Sequence, residues 1–258
     1  MKTIPEIVNY FNDDQVYIIS EDESVLTFAD VKKQLDWTKD FFRKNHIQKT
    51  DTIAIVCENG PVMAASFLAT ASNCCAAPLN PSYTSSEFDF YLEDLNPKAL
   101  IVKEGSNSPV IEVAKKREIK IFNLLVNNNE PSGKFSLTSK EEKISSSVNQ
   151  NENIIPEDIA LILHTSGTTS KPKMVPLTHL NLCTSAKNIV QTLNLNRSDR
   201  CINIMPLFHI HGIVGLLLSS LFSGGGIFTS TGFNALKFFS WLKVFSPTWY
   251  SAVPTMHQ

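Results

Sequence analysis

Short apolar runs alternate with longer amphipathic stretches over most of the chain. Such runs, bounded by polar or turn-forming residues, are typical of buried strands. We predict strands over residues 53–56, 100–102, 119–122, 159–163, 202–205 and 249–253.

Helix signals lie between these runs. Thr84 and Glu87 form a predicted capping box, and Pro97 follows the end of that helix. Pro61 opens a helix through Ala71. The helix that starts after Thr27 has an apolar stripe of Phe28, Val31, Leu35 and Phe42. Further helices are predicted over residues 178–193, 213–222 and 235–245.

This alternation indicates βαβ units. We therefore predict an α/β fold with mostly parallel sheets flanked by helices. Residues 127–153 are rich in Asn, Ser, Lys and Glu, and we interpret them as a polar surface linker. The linker would separate a first α/β subdomain portion, residues 1–126, from a second portion, residues 154–258.

Charge and cysteine usage narrow the class of protein. The chain has 23 basic and 25 acidic residues, so no net field attracts nucleic acid or an anionic membrane. Five cysteines without a C-x-x-C pair favour a reducing compartment and argue against a zinc site, and we predict no metal ligands. The first residues lack an apolar signal region, so secretion is not expected.

Residues 201–236 carry no formal charge, which raises the question of a membrane span. Pro206, two histidines and three consecutive glycines at 224–226 interrupt the stretch. We interpret it as a buried strand, loop, helix and strand, and expect no membrane span. Nothing in the sequence predicts an oligomer.

The candidate chemistry lies in the segment from His164 to His179, directly after a predicted strand. Small residues let backbone N–H groups approach phosphate oxygens, hydroxyls donate short hydrogen bonds, and lysine supplies a mobile positive charge. The segment lacks Walker A spacing. The competing interpretation is a Ser/Thr-rich linker with solvated lysines. The candidate phosphate-binding residues are Thr165, Ser166, Gly167, Thr168, Thr169, Ser170, Lys171 and Lys173.

This segment resembles the signature phosphate loop of the adenylate-forming superfamily, Thr-Ser-Gly-Thr-Thr-Gly-x-Pro-Lys-Gly. Ser170 and Met174 stand where glycines are usual, and Ser170 is similar to the oxalate–CoA ligase branch. The run Met205-Pro-Leu-Phe-His-Ile-His-Gly212 resembles the next motif of the superfamily. Without the first motif, His209 and His211 would be interpreted as core histidines.

The resemblance implies the N-terminal domain of an acid–CoA ligase that uses ATP with Mg²⁺ and takes coenzyme A as co-substrate. Residues 165–169 would cradle the β- and γ-phosphates, and Lys173 would neutralise pyrophosphate, with Lys171 a solvated neighbour. His209 and His211 would border a pocket for a small acid such as oxalate, which makes Lys173 and His209 the candidate catalytic residues.

Several alternatives stay open. The acid could instead be 4-coumarate or a fatty acid, or the chain could be a non-catalytic nucleotide-binding remnant. We expect the sequence to be a fragment, incomplete after residue 258 and inactive alone, because later family segments are absent from it. A peroxisomal location is implied by the resemblance alone, with a cytoplasmic one as the alternative.

Overall fold

Two β-sheets organise the protein in the computed structural model, which describes residues 1–127, 129–139, 153–165 and 172–257. The strands of the first half are β1 (Val16–Ile19), β2 (Val25–Thr27), β3 (Thr52–Val56), β4 (Cys75–Pro78), β5 (Ala99–Lys103), β6 (Lys120–Leu125) and β7 (Ser136–Ser139). Those of the second half are β8 (Ile159–Thr165), β9 (Lys173–Thr178), β10 (Arg200–Asn203), β11 (Gly226–Thr229) and β12 (Trp249–Tyr250).

The helices cover both sheets and several of them end where the sequence predicts. They are α1 (Ile4–Tyr10), α2 (Phe28–Lys44), α3 (Pro61–Ala71), α4 (Ser85–Leu95), α5 (Val110–Lys116), α6 (His179–Leu193), α7 (Ser219–Ser223), α8 (Ala235–Phe245) and α9 (Pro254–His257), with a π-helical segment, His211–Leu218, before α7. Thr27, Thr84 and Thr178 each cap a helix through a complete capping box. Local polar signals therefore fixed the starts of α2, α4 and α6.

The seven-stranded sheet has the order β7-β6-β5-β3-β4-β8-β9. Its inner pairs are parallel, whereas β7 and β9 run antiparallel at the two edges. The five-stranded sheet has the order β12-β10-β11-β1-β2, with only the β1–β2 pair antiparallel. The predicted α/β fold with mostly parallel sheets is confirmed.

Each sheet draws strands from both sides of residues 127–153. β8 and β9 join the sheet of β3 to β7, and β1 and β2 join the sheet of β10 to β12. Within the stretch interpreted as a linker, β7 pairs with β6. The division into portions 1–126 and 154–258 remains a prediction.

Three element predictions need correction. No strand was predicted between the phosphate loop and helix α6, but β9 lies there and returns antiparallel to β8. The strand predicted at 202–205 ends at Asn203, whose Oδ1 accepts a hydrogen bond from Met205 N at 2.9 Å and turns the chain. The strand predicted at 249–253 ends at Tyr250, and α9 begins at Pro254.

The main hydrophobic cluster lies between the two sheets and includes Tyr17, Phe28, Phe67, Phe122 and Ile227. A second cluster packs α4 and α5 against the outer face of the seven-stranded sheet.

All five cysteines are buried free thiols. Within the ranges described, no helix combines the length and apolarity needed to cross a membrane. The uncharged stretch 201–236 forms β10, the π-helix, α7 and β11, as interpreted from the sequence.

Candidate functional site

A β-hairpin carries the two ends of the candidate phosphate loop. Thr165 ends β8, Lys173 begins β9, and the two residues are register partners in the antiparallel pair. Thr165 Oγ1 donates a hydrogen bond to the Lys173 carbonyl oxygen at 3.5 Å. The fold thus brings the first and last candidate phosphate-binding residues together. The others, Ser166, Gly167, Thr168, Thr169, Ser170 and Lys171, lie outside the described residues.

Strand alternation decides which way each hairpin residue faces. Because successive side chains point to opposite faces, Leu163, Thr165 and Lys173 share one face, and His164 shares the other with Met174. Leu163 packs against the cluster between the sheets. Thr165 and Lys173 therefore stand on the side of the hairpin that faces the five-stranded sheet, and both are exposed.

His164 makes a polar contact on the outer face that the sequence interpretation missed. Its Nε2 lies 2.8 Å from Asp94 Oδ2 of α4, and its side chain is only 5% exposed. The ring also packs edge-to-face on Tyr91, with centroids 4.8 Å apart. Tyr91 in turn stacks on Tyr83, whose pKa is raised by burial and by its hydrogen bond with Tyr91. Side chains of α4 therefore hold His164, the residue immediately before Thr165.

A tight loop after β10 carries His209 and ends at His211, the first residue of the π-helix. Asn203 is fully buried, and its Nδ2 donates to the Gly212 carbonyl oxygen at 3.5 Å while its Oδ1 accepts from Met205 N. A Cβ at Gly212 would collide with the Pro206 carbonyl oxygen. The buried Asn203 amide therefore bonds to both ends of the loop, and Gly212 permits the close backbone approach to Pro206.

His209 and His211 occupy different environments on this loop. His209 is exposed as a whole residue, and its ring lies 4.6 Å from that of Phe208, centroid to centroid. Partial desolvation of the imidazole lowers the pKa of His209, which favours the neutral ring near pH 7. His211 is half-buried, and its Nε2 lies 2.8 Å from Ser251 Oγ. His211 is therefore oriented by a partner, whereas His209 faces solvent.

The structure separates the candidate residues into two pairs on different sheets. Thr165 and Lys173 belong to the seven-stranded sheet, and His209 and His211 follow β10 of the five-stranded sheet. Asn59 connects the sheets at this edge, because it binds Leu207 N and the Ser230 carbonyl oxygen. One sequence signal could have found Asn59: it is a polar residue between a strand and a Gly-Pro helix start.

Comparison with known families gives the family of the chain. A family model described as "AMP-binding enzyme" matches residues 6–258, which include the hairpin and the histidine loop. The chain belongs to the AMP-binding enzyme family.

Named members of the AMP-binding enzyme family give finer similarities. The chain is 39% identical to the oxalate–CoA ligase of Arabidopsis thaliana over 215 residues, covering 82% of the chain and 41% of that protein. It is 33% identical to the oxalate–CoA ligase of Saccharomyces cerevisiae over 271 residues, covering 95% of the chain and 50% of that protein. The chain thus spans about half the length of these relatives.

The fold of this chain is also found in solved structures. The crystal structure of ATP-bound MatB from Rhodopseudomonas palustris superposes with a TM-score of 0.80 at 23% identity. The match covers 99% of the chain and 50% of MatB. At this identity the similarity establishes the fold.

The two described ends of the candidate phosphate loop carry groups of the kind that bind phosphate oxygens. Thr165 and Lys173 offer an exposed hydroxyl and an exposed ammonium group, which suit phosphate oxygens. Among the described residues there is no cluster of three or more His, Cys, Asp or Glu able to hold a metal. Mg²⁺ in nucleotide sites relies on one or two carboxylates together with phosphates.

Proposed function

We propose that the protein serves the ATP-dependent activation of a small carboxylic acid, with oxalate favoured, to an acyl adenylate and then to its coenzyme A thioester. The observation that carries the proposal is the hairpin that joins Thr165 to Lys173 around a segment of hydroxyl, glycine and lysine residues. Because the chain spans about half of its relatives' length, the activity of the whole protein is part of the proposal.

The first half-reaction forms one bond and breaks one. A carboxylate oxygen of the acid attacks the α-phosphorus of ATP, and the bond from that phosphorus to the bridging oxygen of pyrophosphate breaks. Charge accumulates on the departing pyrophosphate, so groups that follow this charge stabilise the transition state more than the ground state. Mg²⁺, which the resemblance implies, would neutralise part of the phosphate charge when bound.

The hairpin residues have distinct roles in this step. The Thr165 hydroxyl exchanges its bond to the Lys173 carbonyl oxygen for one to a phosphate oxygen. The hydroxyls of Ser166, Thr168, Thr169 and Ser170 donate likewise, and Gly167 donates its backbone N–H. Lys173 follows the departing pyrophosphate, because its flexible stem extends from the exposed base of the hairpin. Lys171 remains a solvated neighbour. The face alternation of β8 and β9 supports these roles, since it turns Thr165 and Lys173 to the same side.

The histidine loop would receive the acid. A small dianionic acid needs hydrogen-bond donors, and a neutral imidazole offers one N–H. The lowered pKa of His209 favours that neutral form, and the contact with Ser251 Oγ orients the His211 ring. In the second half-reaction the coenzyme A sulfur attacks the acyl carbon, the bond to AMP breaks, and the thiol proton leaves to solvent.

The test is acid-dependent exchange of labelled pyrophosphate into ATP by the complete gene product, with oxalate, 4-coumarate and a long-chain fatty acid compared at equal concentration. We expect exchange that requires an acid and is fastest with oxalate. Preference for either bulky acid would overturn the oxalate assignment alone. Absence of exchange with all three, in a folded protein, would overturn acid activation.

The location is a separate proposal. A peroxisomal location rests on the resemblance to the oxalate–CoA ligase branch. Imaging of a fluorescent fusion of the complete gene product against a peroxisomal marker decides it, and diffuse fluorescence would contradict it.

A further inference from the structure

Asn59 makes two complementary hydrogen bonds to the edge of the other sheet. It follows β3 of the seven-stranded sheet and lies before α3. Its Oδ1 accepts from Leu207 N at 2.8 Å, and its Nδ2 donates to the Ser230 carbonyl oxygen at 2.9 Å. The side-chain oxygen faces an N–H group and the side-chain nitrogen faces a carbonyl, so only one orientation of the amide satisfies both bonds.

The two partners of Asn59 lie where neighbouring parallel strands end. Leu207 follows β10 and Ser230 follows β11, and both residues are fully buried. Leu207 is two residues before His209 on the same tight loop. The amide therefore ties the histidine loop to the strand beside it and to the opposite sheet.

The backbone after Asn59 leaves little freedom for this contact. Gly60 has φ +137°, a conformation that L side chains rarely adopt, and Pro61 starts α3 immediately afterwards. Pro61 restricts its own φ at the start of α3, so the chain direction is constrained two residues after Asn59. The two hydrogen bonds of Asn59 depend on direction, whereas the hydrophobic packing between the sheets does not.

We propose that Asn59 is a positioning residue that sets the place of the His209–His211 loop relative to the phosphate hairpin. The hairpin strand β8 pairs with β4, which pairs with β3, the strand that precedes Asn59. The histidine loop belongs to the other sheet. The separation between the two halves of the site is therefore the separation between the sheets, and Asn59 spans it with two hydrogen bonds. The catalytic consequence of this inference rests on the proposed function.

Two variants and one matched control test the proposal. Asn59→Ala removes both bonds. Asn59→Asp keeps the acceptor for Leu207 N but places carboxylate oxygen against the Ser230 carbonyl. The control is Asn73→Ala, because Asn73 Nδ2 also makes two bonds, to the Ala69 oxygen at 2.8 Å and the Leu35 oxygen at 3.1 Å, away from the loop.

The first readout is amide hydrogen exchange of residues 204–212 in the complete gene product. Since two hydrogen bonds are lost, we expect exchange at least about tenfold faster in N59A than in the unmodified protein, and unchanged within about twofold in N73A. In N59D the Leu207 amide should stay protected while exchange near Ser230 accelerates. Protection of the loop in N59A equal to that of the unmodified protein would overturn the inference. If N59A does not fold, unchanged exchange near Ser230 in N59D would overturn it.

The second readout separates positioning from general stability. We expect N59A to raise KM for the acid about tenfold and to leave KM for ATP within about twofold, because the histidine loop shifts and the hairpin does not. A loss of active protein with both KM values unchanged would contradict positioning. Absence of acid-dependent pyrophosphate exchange in the unmodified protein would overturn the proposed function. Amide hydrogen exchange of the loop would still decide the role of Asn59.

Discussion

The His164 Nε2 atom lies 2.8 Å from Asp94 Oδ2, and this pair joins the last described residue before Thr165 to helix α4. The His164 side chain is 5% exposed, while that of Asp94 is 40% exposed. The contact is therefore a hydrogen bond at the rim of the second hydrophobic cluster, and water screens the carboxylate. The pair holds the end of β8 from the face opposite to Thr165.

Removal of the His164 side chain should lower the free energy of unfolding more than removal of the Asp94 charge. His164→Ala loses the bond to Asp94 and the edge-to-face contact with Tyr91, so we expect the free energy of unfolding to fall by about 2 kcal/mol. Asp94→Asn keeps an acceptor and should cost less than about 1 kcal/mol. Urea denaturation of both variants measures these changes.

Asp89→Asn provides the matched control for that series, because Asp89 lies on the same helix and pairs at the surface with Arg117 at 2.8 Å. The free energy of unfolding of D89N should be within about 0.5 kcal/mol of that of the unmodified protein. Equal stability of H164A and D89N would show that the His164 contact does not anchor the strand.

Lys173 should affect rate more than affinity. Lys173→Ala should slow acid-dependent pyrophosphate exchange by roughly tenfold or more, because its charge is most useful as pyrophosphate departs. The dissociation constant for ATP should change less. Exchange kinetics and equilibrium binding of ATP measure the two effects.

Lys187→Ala is the control for Lys173, since Lys187 is an exposed lysine on α6. We expect exchange at the normal rate in that variant. A K173A protein with normal exchange and weakened ATP binding would assign Lys173 to ground-state binding instead.

Acid should destabilise the fold through His179. This residue is fully buried, its Nδ1 accepts from Ile4 N at 3.3 Å, and burial lowers its pKa from 6.5 to about 4. Above pH 6.5 the ring is neutral in both folded and unfolded states. As pH falls from 6.5 to about 4, only the unfolded state gains the proton, so stability decreases, by about 3 kcal/mol in total.

The pH series compares the unmodified protein with His179→Asn, which retains an acceptor for Ile4 N and cannot titrate in this range. The unfolding free energy of the unmodified protein minus that of H179N should decrease steadily as pH falls from 6.5 to about 4 and then level off. A constant difference across that range would refute the role of His179 in acid sensitivity.

Gly212 should tolerate no side chain. Because a Cβ there would collide with the Pro206 backbone oxygen, which cannot rotate away, Gly212→Ala should cost about 2 kcal/mol or more. Gly226→Ala is the control, since its Cβ would approach nothing closer than the Ile19 Cδ1 atom at 3.6 Å. Thermal unfolding of the two variants measures the contrast, and equal melting temperatures would contradict it.

The candidate site was only partly predictable from the sequence. The composition of residues 165–173 indicated phosphate binding, because glycine, hydroxyl and lysine chemistry is local to a segment. The pairing of Thr165 with Lys173 was not predicted, since β9 is less apolar than a buried strand and reads as part of a loop. Asn59, Asp94 and Ser251 were missed because their partners lie 148, 70 and 40 residues away.

The sequence by itself determined the elements whose signals are local. The capping boxes at Thr27, Thr84 and Thr178, and proline at the start of α3, lie within a few residues of the helix ends that they fix. Continuous apolar runs predict the buried strands β3, β5 and β8, since both faces of a parallel sheet are covered.

Tertiary structure alone decided which distant segments pair. β1 joins β11 across more than 200 residues, and β8 joins β4 to complete the other sheet. Strand pairing depends on backbone hydrogen bonds, which are the same for every residue, and on burial that exists only after the sheets meet. For this reason the residue types of the candidate phosphate loop could be recognised in the sequence, while the position of its hairpin relative to the histidine loop was set by the packing of two sheets.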